Sequence, residues 1–346
     1  MRDLAIVILA AGHGTRMKSR RQKVLHEVGG KPMVQHVVDT AWIVAGWKPF
    51  LVVGPKETGA RDLFGDRVGT VIQEERLGTG HAVQMAAPVL AGQAEQVLVM
   101  YGDMPLLRPE TLQLLAQKQA ATGAALSMLT MIGPPDSTYG RILRDEDGGV
   151  CEIMEVAQAG RRPDAEAILA IRELNVGVYC FQAEWLWANV PHLPLRQARS
   201  GVEYYLTDLV EMAINQGRVV EAVILEDADE GLGAGTRAEL AQVEAAFHRR
   251  TTRKWLEAGV TLVDPAATYI DPTVTIGQDT IVWPNTFIQS GSVIGRDCRI
   301  GPNTILRAVS LGDGCCVEQI VLEGVTLPAN TTLPPFTYMT AEQKHE

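Results

Sequence analysis

Residues 4–17 read LAIVILAAGHGTRM, an apolar run that leads directly into a glycine-rich turn. The run Leu4–Leu9 has the continuous hydrophobicity of a strand buried on both faces of a parallel sheet. Glycines after such a strand let backbone N–H groups approach phosphate oxygens, although ordinary tight turns use glycine too. Arg16 and Lys23 add positive charge beside the turn. The stretch therefore predicts a nucleoside triphosphate site at the carboxyl end of a strand, where open α/β sheets bind ligands.

Two common phosphate-binding loops do not match this turn. The dinucleotide-binding pattern needs a third glycine, but Met17 stands three residues after Gly14. The Walker A pattern needs a glycine followed directly by Lys and then Ser or Thr, and neither Gly12 nor Gly14 is followed in that way. The turn is therefore expected to belong to another class of nucleotide site.

Up to about residue 230 the chain alternates apolar strands with helical stretches, which predicts a mostly parallel sheet with helices on both faces. The strands are expected at Leu4–Leu9, Phe50–Val53, Val97–Met100 and Ala125–Met131. The helices are expected at Pro32–Gly46, Gly80–Ala91 and Pro109–Gly123. A further helical pattern over Thr236–Ala258, ended by Gly259, reads as a connector between domains.

After this connector the pattern changes to an aliphatic residue at every sixth position. The repeat consists of Ile270, Ile276, Val282, Ile288, Ile294, Ile300 and Leu306, and continues with one slip to Leu311 and Val317. Neither a helix nor a flat sheet has this period. Hexapeptide repeats fold as a left-handed parallel β-helix with three repeats in each coil. About three coils are expected before the pattern fades near Pro334-Pro335.

Composition sets limits on function. The 346 residues are 46% hydrophobic and 21% charged, as expected for a globular protein with room for two domains. A net charge of -10 argues against a nucleic-acid binder, while a local basic pocket still suits an anionic nucleotide. The five cysteines form no metal or redox pattern, which fits a reducing cytoplasm. We expect neither a signal peptide nor a membrane-spanning segment.

The string from Leu9 to Met17, with Lys23-Val24-Leu25-His26 and Gly30-Lys31-Pro32-Met33, resembles the signature of sugar-1-phosphate nucleotidyltransferases. The resemblance is closest to the bacterial bifunctional N-acetylglucosamine-1-phosphate uridyltransferase / glucosamine-1-phosphate acetyltransferase family. It implies an α/β fold, a Rossmann-like nucleotidyltransferase domain with a mostly parallel sheet followed by a short left-handed parallel β-helix. The expected boundaries are a transferase domain at 1–235, a connecting helix at 236–259, a β-helix at 260–336 and a tail at 337–346.

The β-helix of the resembled family is longer, carries the acetyltransferase site and builds a trimer. Here the chain reaches Pro335-Phe336-Thr337-Tyr338 about where the family continues into its acetyl-transfer segment. Acetyl transfer is therefore expected to be absent. The remaining coils are expected to cap the fold or to join copies of the chain, with a homotrimer as the assembly that the resemblance implies.

The resemblance also implies a reaction and a set of residues. A sugar-1-phosphate oxygen attacks the α-phosphorus of UTP, so that catalysis needs charge neutralisation and in-line positioning. Arg16 and Lys23 are the expected catalytic residues, and Asp103, after the strand Val97–Met100, is the expected Mg²⁺ ligand. Asp103 could instead cap the turn before Pro105. The expected nucleotide-binding residues are Leu9, Ala10, Ala11, Gly12, Gly14, Thr15, Gln73, Gly78, Thr79, Tyr101 and Gly102.

Base and sugar are expected to be recognised by separate segments. Gln73 offers an amide donor and acceptor to a pyrimidine edge, and Thr79 supplies a hydroxyl or caps a helix. His81 is expected to pack or cap rather than to bind metal. By resemblance, the sugar-binding residues are Gly140, Glu155, Asn175 and Thr207. Tyr204 and Tyr205 could equally belong to the core.

Three departures from the family pattern affect the site. Gln22 stands where the family has proline, which predicts a looser loop. Val156-Ala157 replaces His-Lys after Glu155 and removes positive charge. Gly235 stands at the position of an asparagine metal ligand, so that Asp227, Asp229, Glu230 or water would have to replace it; those three acids stay alternatives.

The expected function is thus synthesis of UDP-N-acetylglucosamine, a peptidoglycan precursor, in the cytoplasm. Two alternatives stay open, because the departures at Val156-Ala157 and Gly235 fall around the substrates. One is a nucleotidyltransferase for another nucleotide or sugar-1-phosphate. The other is a catalytically silent relative that binds a nucleotide sugar. The retained Arg16, Lys23 and Asp103 favour an active enzyme.

Overall fold

The computed structural model describes residues 2–12, 14–56, 58–198 and 201–341. His13 of the glycine turn and residues 342–346 of the expected tail lie outside the described residues. The chain divides into two compact units. The first unit comprises Met1–Glu27 and Lys31–Val243, and the second comprises Val28–Gly30 and Glu244–Glu346.

Strands and helices alternate along the chain as far as residue 257. The strands are β1 (Arg2–Leu9), β2 (Glu27–Val28), β3 (Lys31–Pro32), β4 (Phe50–Val53), β5 (Gly69–Ile72), β6 (Ala94–Tyr101), β7 (Leu126–Ile132), β8 (Arg141–Arg144), β9 (Val150–Met154), β10 (Glu173–Gln182), β11 (Leu195–Ala198), β12 (Gly201–Tyr204) and β13 (Val220–Ile224). The helices are α1 (Met33–Ala45), α2 (Thr58–Phe64), α3 (Thr79–Gln84), α4 (Ala87–Leu90), α5 (Pro109–Thr122), α6 (Val156–Ala159), α7 (Ala165–Ala170), α8 (Ala183–Asn189), α9 (Asp208–Asn215) and α10 (Arg237–Glu257).

The main sheet of the first unit has the strand order β13-β7-β10-β6-β1-β4-β5, and β8 and β9 extend it from β10. Along that order β10 alone runs against its neighbours. Leu9 at the end of β1 lies opposite Tyr101 of β6 and Val52 of β4. The predicted mostly parallel sheet is confirmed, and its topology brings the carboxyl ends of three strands to one edge.

The central strand β1 shows why its sequence is apolar throughout. Ala5 and Val7 pack into one hydrophobic cluster, whereas Ile6 and Ile8 pack into a second cluster that includes side chains from α1 and α5. Because successive side chains of a strand point to opposite faces, both faces of β1 are buried under helices. The expected helices on both faces are therefore present.

The predicted helix Gly80–Ala91 is wrong in its continuity. The structure has two helices there, α3 and α4, which end and begin on either side of Met85 and Ala86. Pro88 lies in the first turn of α4. Since proline has no N–H group, it is tolerated at the start of a helix but cannot continue the hydrogen bonding of the preceding one.

The second unit is built from short strands in three parallel sheets. Its strands are β14 (Thr261–Leu262), β15 (Thr268–Ile270), β16 (Thr275–Ile276), β17 (Ile281–Val282), β18 (Thr286–Gln289), β19 (Val293–Ile294), β20 (Arg299–Ile300), β21 (Thr304–Arg307), β22 (Ser310–Leu311), β23 (Cys316–Val317), β24 (Val321–Glu323), β25 (Thr326–Leu327) and β26 (Tyr338–Thr340). Ile270, Ile288 and Leu306 lie opposite one another on successive coils. The nine predicted inward positions are all buried, at 8% exposure or less. The expected left-handed β-helix is confirmed.

The β-helix continues further than the sequence pattern suggested. β26 pairs in parallel with β24, beyond the expected end at residue 336, and five stacked strands form the sheet that contains it among the described residues. Leu327 is buried in the core of this unit, and Leu333 and Met339 pack against it. Leu327, Leu333 and Met339 are again six residues apart, after the slips near Leu311. This resumed spacing is the signal that the expected β-helix end at residue 336 left out.

The part of the chain that the structure describes has no helix long and apolar enough to cross a membrane.

Candidate active site

The glycine turn joins β1 to a single 3-10 turn at Thr15–Met17. Gly14 has a left-handed backbone with φ +62°, and Met17 N–H donates to its carbonyl oxygen at 2.9 Å. A Cβ atom at Gly14 would lie 2.5 Å from Lys23 Cβ. Glycine is thus needed both for the backbone conformation and for the close approach of Lys23.

Backbone hydrogen bonds fix this turn to the neighbouring strand ends. Ala10 N–H donates to Val52 O at 2.8 Å, and Gly102 N–H donates to Leu9 O at 3.0 Å. Gly102 also approaches Ala10 closely, since a Cβ atom there would lie 3.4 Å from Ala10 Cβ. The structure therefore brings the turn together with the ends of β4 and β6.

The expected nucleotide-binding residues of the turn differ in exposure. Leu9, Ala10 and Ala11 are buried, so that only their backbone groups are placed to meet a ligand. Gly12 and Thr15 are exposed. A Cβ atom at Gly12 would meet nothing within 4 Å, which shows an open backbone surface beside the turn.

Lys23 and Asp103 form the central ion pair of this edge. Lys23 Nζ lies 2.5 Å from Asp103 Oδ2, and the two side chains are 20% and 14% exposed. Lys23 comes from the turn after β1, and Asp103 follows β6. The two candidate residues from distant parts of the chain therefore meet, and Asp103 is paired with a cation rather than merely capping a turn.

Gln22, where a looser loop was predicted, makes a hydrogen bond back to the glycine turn; the looseness itself stays a prediction. Its Nε2 donates to Ala10 O at 3.1 Å, which ties the segment before Lys23 back to the end of β1. Its Oε1 is buried without a hydrogen-bond partner. This side-chain bond is a link between the two segments that a proline could not make.

Arg16 occupies the space beside Gly235. A Cβ atom at Gly235 would lie 2.7 Å from Arg16 Nη2 and 3.2 Å from Glu239 Oε2. Gly235 N–H also donates to Glu239 Oε2 at 2.7 Å. Where the resembled family has an amide side chain, this chain thus has a guanidinium group with a carboxylate beside it.

Two of the three acidic residues considered as replacement ligands, Asp227 and Glu230, have their carboxylates bonded to other parts of the chain. Asp227 Oδ2 lies 2.6 Å from Arg108 Nη2, and Glu230 accepts from Arg108 N–H at 3.0 Å. Asp227 also caps the short helix that follows by accepting from Asp229 N–H. Through these contacts Asp227 and Glu230 hold the backbone segment that precedes Gly231 in place.

Asp103 is the carboxylate at this edge that the sequence assigned to a divalent cation. No group of three or more His, Cys, Asp or Glu residues gathers as a metal site in the described ranges. Mg²⁺ usually keeps water and phosphate ligands and takes only one or two carboxylates from the protein. A single carboxylate next to phosphate-binding cations fits such an ion, which would be held mainly by its substrate.

The base-reading segment is tied together by Gln73. This buried side chain donates from Nε2 to Gly78 O at 3.0 Å and contacts His81 Nδ1 at 3.2 Å. A carbonyl oxygen can only accept, so that the atom facing Gly78 must be the amide nitrogen. One amide hydrogen is therefore used on Gly78 O within the protein. The role of Gln73 in reading the base stays a prediction, as does the expectation that His81 packs or caps.

Gly78 and Thr79 connect this segment to the sugar side. Gly78 has φ +95°, and a Cβ atom there would lie 2.6 Å from Tyr204 O. Thr79 Oγ1 accepts from Leu206 N–H at 3.0 Å and is hydrogen-bonded to the Tyr101 hydroxyl. Loss of solvent, and then the negative charges of Asp103 and Glu155, raise the pKa of the Tyr101 phenol.

Three of the four expected sugar-binding residues lie together. Asn175 N–H donates to Gly140 O at 2.9 Å, and a Cβ atom at Gly140 would lie 3.4 Å from Glu155 Oε1. Asn175 Oδ1 accepts from Gly177 N–H and from the Tyr179 hydroxyl, each at 3.0 Å. Its oxygen is therefore used internally, which leaves the amide nitrogen to meet a ligand.

Glu155 directly precedes α6, and Thr207 directly precedes α9. Burial, and then the charge of Asp208, raises the pKa of the Glu155 carboxyl group. Thr207 precedes α9 and lines a polar cavity of about 260 Å³ with Glu152, Tyr205 and Asp208. Tyr205 thus faces a cavity rather than the core.

Tyr139 and Arg141 support the fold around Gly140. The Tyr139 hydroxyl donates to Gly231 O at 3.1 Å and accepts from Gly233 N–H at 3.2 Å. Arg141 is 1% exposed and donates to the carbonyl oxygens of Tyr139 and Pro135. Both side chains therefore hold backbone segments in place.

Sequence reasoning missed two charged residues at this edge, Arg76 and Glu239. Arg76 Nε donates to Ala11 O at 2.6 Å. The signal for Arg76 was its place in the sequence between Gln73 and Gly78. The signal for Glu239 was the Thr-x-x-Glu pattern that starts at Thr236 and is typical of a helix start.

Two family models match the chain. Residues 6–170 match the MobA-like NTP transferase domain. Residues 273–308 match the bacterial transferase hexapeptide (six repeats).

Curated relatives match nearly the whole chain. The bifunctional protein GlmU of Exiguobacterium sibiricum is 41% identical over 96% of this chain and 73% of its own length. The same protein of Pelobacter propionicus is 40% identical over 98% of this chain and 73% of its own length. The bifunctional protein GlmU of Heliobacterium modesticaldum is 39% identical over 98% of this chain and 72% of its own length.

A solved structure has the same fold as part of the chain. It is a CMP:2-keto-3-deoxy-manno-octonic acid synthetase complexed with CTP, 21% identical, with a TM-score of 0.52 over 72% of this chain and 99% of that chain.

Proposed function

The chain belongs to the family of the bifunctional protein GlmU, and we propose that it joins UTP to N-acetylglucosamine-1-phosphate. The products are UDP-N-acetylglucosamine and pyrophosphate. Membership of this family and the NTP transferase domain make the chain a nucleotidyltransferase. The observation that carries the proposed roles is the 2.5 Å contact between Lys23 and Asp103, which joins the glycine turn to the end of β6.

The reaction brings two anionic substrates together. The cationic side chains at this edge neutralise part of their negative charge. A phosphate oxygen of the sugar phosphate attacks the α-phosphorus, and the bond from that phosphorus to the β-phosphate oxygen breaks. Lys23 and Arg16 neutralise the charge that develops on the α-phosphoryl group, while backbone N–H groups of Gly12 and Gly14 hold the other phosphates. No protein nucleophile is needed.

The family generally uses a divalent metal, and we assign Mg²⁺ to Asp103. The bound ion supplies positive charge to the phosphate oxygens. Asp103 would hold the ion, and the same carboxylate accepts a hydrogen bond from Lys23. Gly235 contributes no ligand, and Arg16 lies in the space beside it.

We assign the sugar to the surface formed by Gly140, Asn175, Glu155 and Thr207. The Asn175 amide nitrogen donates to the N-acetyl group, and Glu155 accepts from sugar hydroxyls. Both groups lie where the backbone is closely packed, because a Cβ atom at Gly140 would already lie 3.4 Å from Glu155. A sugar without the N-acetyl group or the hydroxyl groups would leave Asn175 and Glu155 without hydrogen-bond partners. The site therefore favours N-acetyl sugars that carry free hydroxyl groups.

We further propose that the β-helix joins three copies of the chain. Its described coils expose apolar side chains, with Val293 50%, Tyr269 43% and Trp283 40% exposed. Tyr269 lies on β15, Val293 on β19 and Trp283 directly after β17, which belong to three different sheets, so that the proposed assembly rests on family membership rather than on one apolar patch. The five free cysteines support a cytoplasmic location, because unpaired thiols are typical of a reducing compartment.

Initial rates of pyrophosphate release test the proposed activity. UTP with N-acetylglucosamine-1-phosphate and Mg²⁺ is expected to give turnover well above UTP with glucose-1-phosphate or galactose-1-phosphate. An Asn175→Ala variant is expected to reduce the preference for the N-acetyl sugar. Folded protein that releases no pyrophosphate with any sugar phosphate would overturn the proposal.

A further inference from the structure

The Lys23–Asp103 pair joins two backbone segments that are each held in place. The stem of Lys23 lies against Gly14, because a Cβ atom on that glycine would lie 2.5 Å from Lys23 Cβ. The turn that begins at Lys23 is closed by His26 N–H, which donates to Lys23 O at 3.2 Å. On the other side, Ala234 N–H donates to Asp103 O at 3.1 Å. The ammonium group and the carboxylate can therefore separate by side-chain rotation while the backbone stays as it is.

The ammonium group occupies the carboxylate to which the metal is assigned. Lys23 Nζ donates to Asp103 Oδ2 at 2.5 Å, and both side chains are largely shielded from solvent. Mg²⁺ bonds carboxylate oxygens at about 2.1 Å, so that an ion on Oδ2 would lie within about 5 Å of the ammonium nitrogen. A divalent ion and an ammonium group at that separation repel each other, and one carboxylate does not balance both charges. The other oxygen belongs to the same small group, so that an ion there faces the same cation.

The surroundings of Gly235 do not offset this repulsion. Gly235 stands at the position of the family's asparagine ligand and has no side chain to offer. The Nη2 atom of Arg16 would lie 2.7 Å from a Cβ atom there. A cationic side chain thus stands where the resembled family places a metal ligand.

We propose that Lys23 keeps free divalent cations off Asp103, so that the metal enters the site together with the triphosphate. This inference rests on the proposed assignment of the metal to Asp103. Phosphate oxygens give the ammonium group a new partner, and their negative charge offsets the positive charge of the ion. The nucleotide and the metal then strengthen each other's binding by the same factor, as linkage requires. Lys23 thereby discriminates between a free cation and a cation that is bound to triphosphate.

The test is binding of Mn²⁺ alone, as a probe for Mg²⁺, to the full chain, followed through the electron paramagnetic resonance signal of the aqueous ion. Wild-type protein is expected to bind the ion weakly. Lys23→Met removes the ammonium group but keeps an unbranched stem, and is expected to tighten Mn²⁺ binding about 10-fold. Lys23→Arg keeps the charge and is expected to bind as weakly as the wild type. Adding Asp103→Asn to Lys23→Met is expected to abolish the gain.

Lys118→Met is the matched control. Lys118 pairs with Glu221 at 3.4 Å, so that this variant also frees a carboxylate from a lysine. It is expected to leave Mn²⁺ binding unchanged, which separates the effect at Asp103 from the loss of any paired lysine. Lys23→Gln is measured alongside Lys23→Met as a second neutral variant, and circular dichroism establishes that each protein is folded.

The outcomes separate this inference from the proposed function, because the titrations contain no nucleotide. The inference is overturned when folded Lys23→Met and Lys23→Gln bind Mn²⁺ no more tightly than the wild type. A gain that survives Asp103→Asn, or an equal gain in Lys118→Met, overturns it as well. Tighter binding confined to the neutral Lys23 variants, in a protein that releases no pyrophosphate with any sugar phosphate, supports the inference and counts against the function alone.

Discussion

Lys23 reaches Asp103 across the edge where β1 and β6 end, and this contact predicts a large kinetic effect. Lys23→Ala removes a positive charge from the α-phosphoryl group, and we expect kcat to fall by about 10²–10³. The melting temperature should stay within a few degrees because the side chain is an edge group with one ion pair. Steady-state rates with UTP and N-acetylglucosamine-1-phosphate provide the measurement.

Lys118→Ala is the control for Lys23→Ala. Lys118 also pairs with a carboxylate, Glu221, at 3.4 Å, but on a surface away from the strand ends. It should retain wild-type kcat. Near-normal turnover of a folded Lys23→Ala protein would contradict the role assigned to Lys23.

Gly235 should tolerate no side chain without a cost in activity. The methyl group of Gly235→Ala would lie 2.7 Å from Arg16 Nη2, so that the guanidinium group has to move. We expect kcat/KM for UTP to fall about 10-fold, roughly 1.4 kcal/mol in transition-state binding. Circular dichroism should be unchanged. Gly160→Ala, whose new Cβ would have an ordinary 3.6 Å contact with Val156 O, should behave as wild type. Equal kcat/KM in both variants would show that Arg16 does not act from this place.

Glu155 links stability to pH. Its pKa is raised in the folded protein by burial and by Asp208, above its ordinary value of 4.5. Between those two pKa values the folded state binds more protons than the unfolded state, so that the free energy of unfolding falls as pH rises through this window. Glu155→Gln removes the titration. Its stability, from urea unfolding at pH 4.5 and pH 7, should fall less over that interval than that of the wild type. An identical fall in both proteins would rule out Glu155 as the source.

The sequence could predict which residue types meet at the site but not every partner. Lys23 was expected from its place beside the glycine turn, and Asp103 from its place after a strand together with the resemblance to the family motif. The bond from Gln22 to Ala10 and the contact of Arg16 with Gly235 depend on side-chain placement between segments distant in the chain. No local pattern encodes such placement.

At the scale of elements, the strands of the first unit were predicted best. Their apolar runs are buried on both faces of the sheet, so that each strand can be recognised in the sequence without knowing which strands lie beside it. The helix over Gly80–Ala91 was predicted as continuous because periodicity outweighed Pro88. The β-helix was underestimated because slips near Leu311 broke the six-residue count, although Leu327, Leu333 and Met339 resume it.

The stacked interior of the β-helix predicts a stability effect confined to the second unit. Ile300 is fully buried between Val282 and Val317 of the adjacent coils. Ile300→Ala should cost about 2–5 kcal/mol, because the cavity cannot collapse between fixed strands. Differential scanning calorimetry should show a lower transition for this unit, while nucleotide transfer at low temperature persists. Val293→Ala, at a position 50% exposed, should change little. Equal shifts in the two variants would contradict the inward stacking.

At the scale of the whole molecule, an acidic chain presents a basic site to anionic substrates. The net charge of -10 disfavours general binding of nucleic acids. The local cations Arg16, Lys23 and Arg76 lie at one strand edge, where Lys23 pairs with Asp103 and Arg76 donates to Ala11 O. The proposed assembly through the β-helix has its own test. Light scattering of the full chain should give about three times its 37.6 kDa mass if three copies associate.

The most direct test of nucleotidyl transfer at the Lys23–Asp103 centre follows the phosphorus atoms themselves. In ³¹P NMR of UTP, N-acetylglucosamine-1-phosphate, Mg²⁺ and the protein, we expect the triphosphate and sugar phosphate signals to decline together. Pyrophosphate and the diphosphate diester of a UDP-sugar should appear in equal amounts. Orthophosphate from UTP hydrolysis, or an unchanged spectrum with folded protein, would contradict the account.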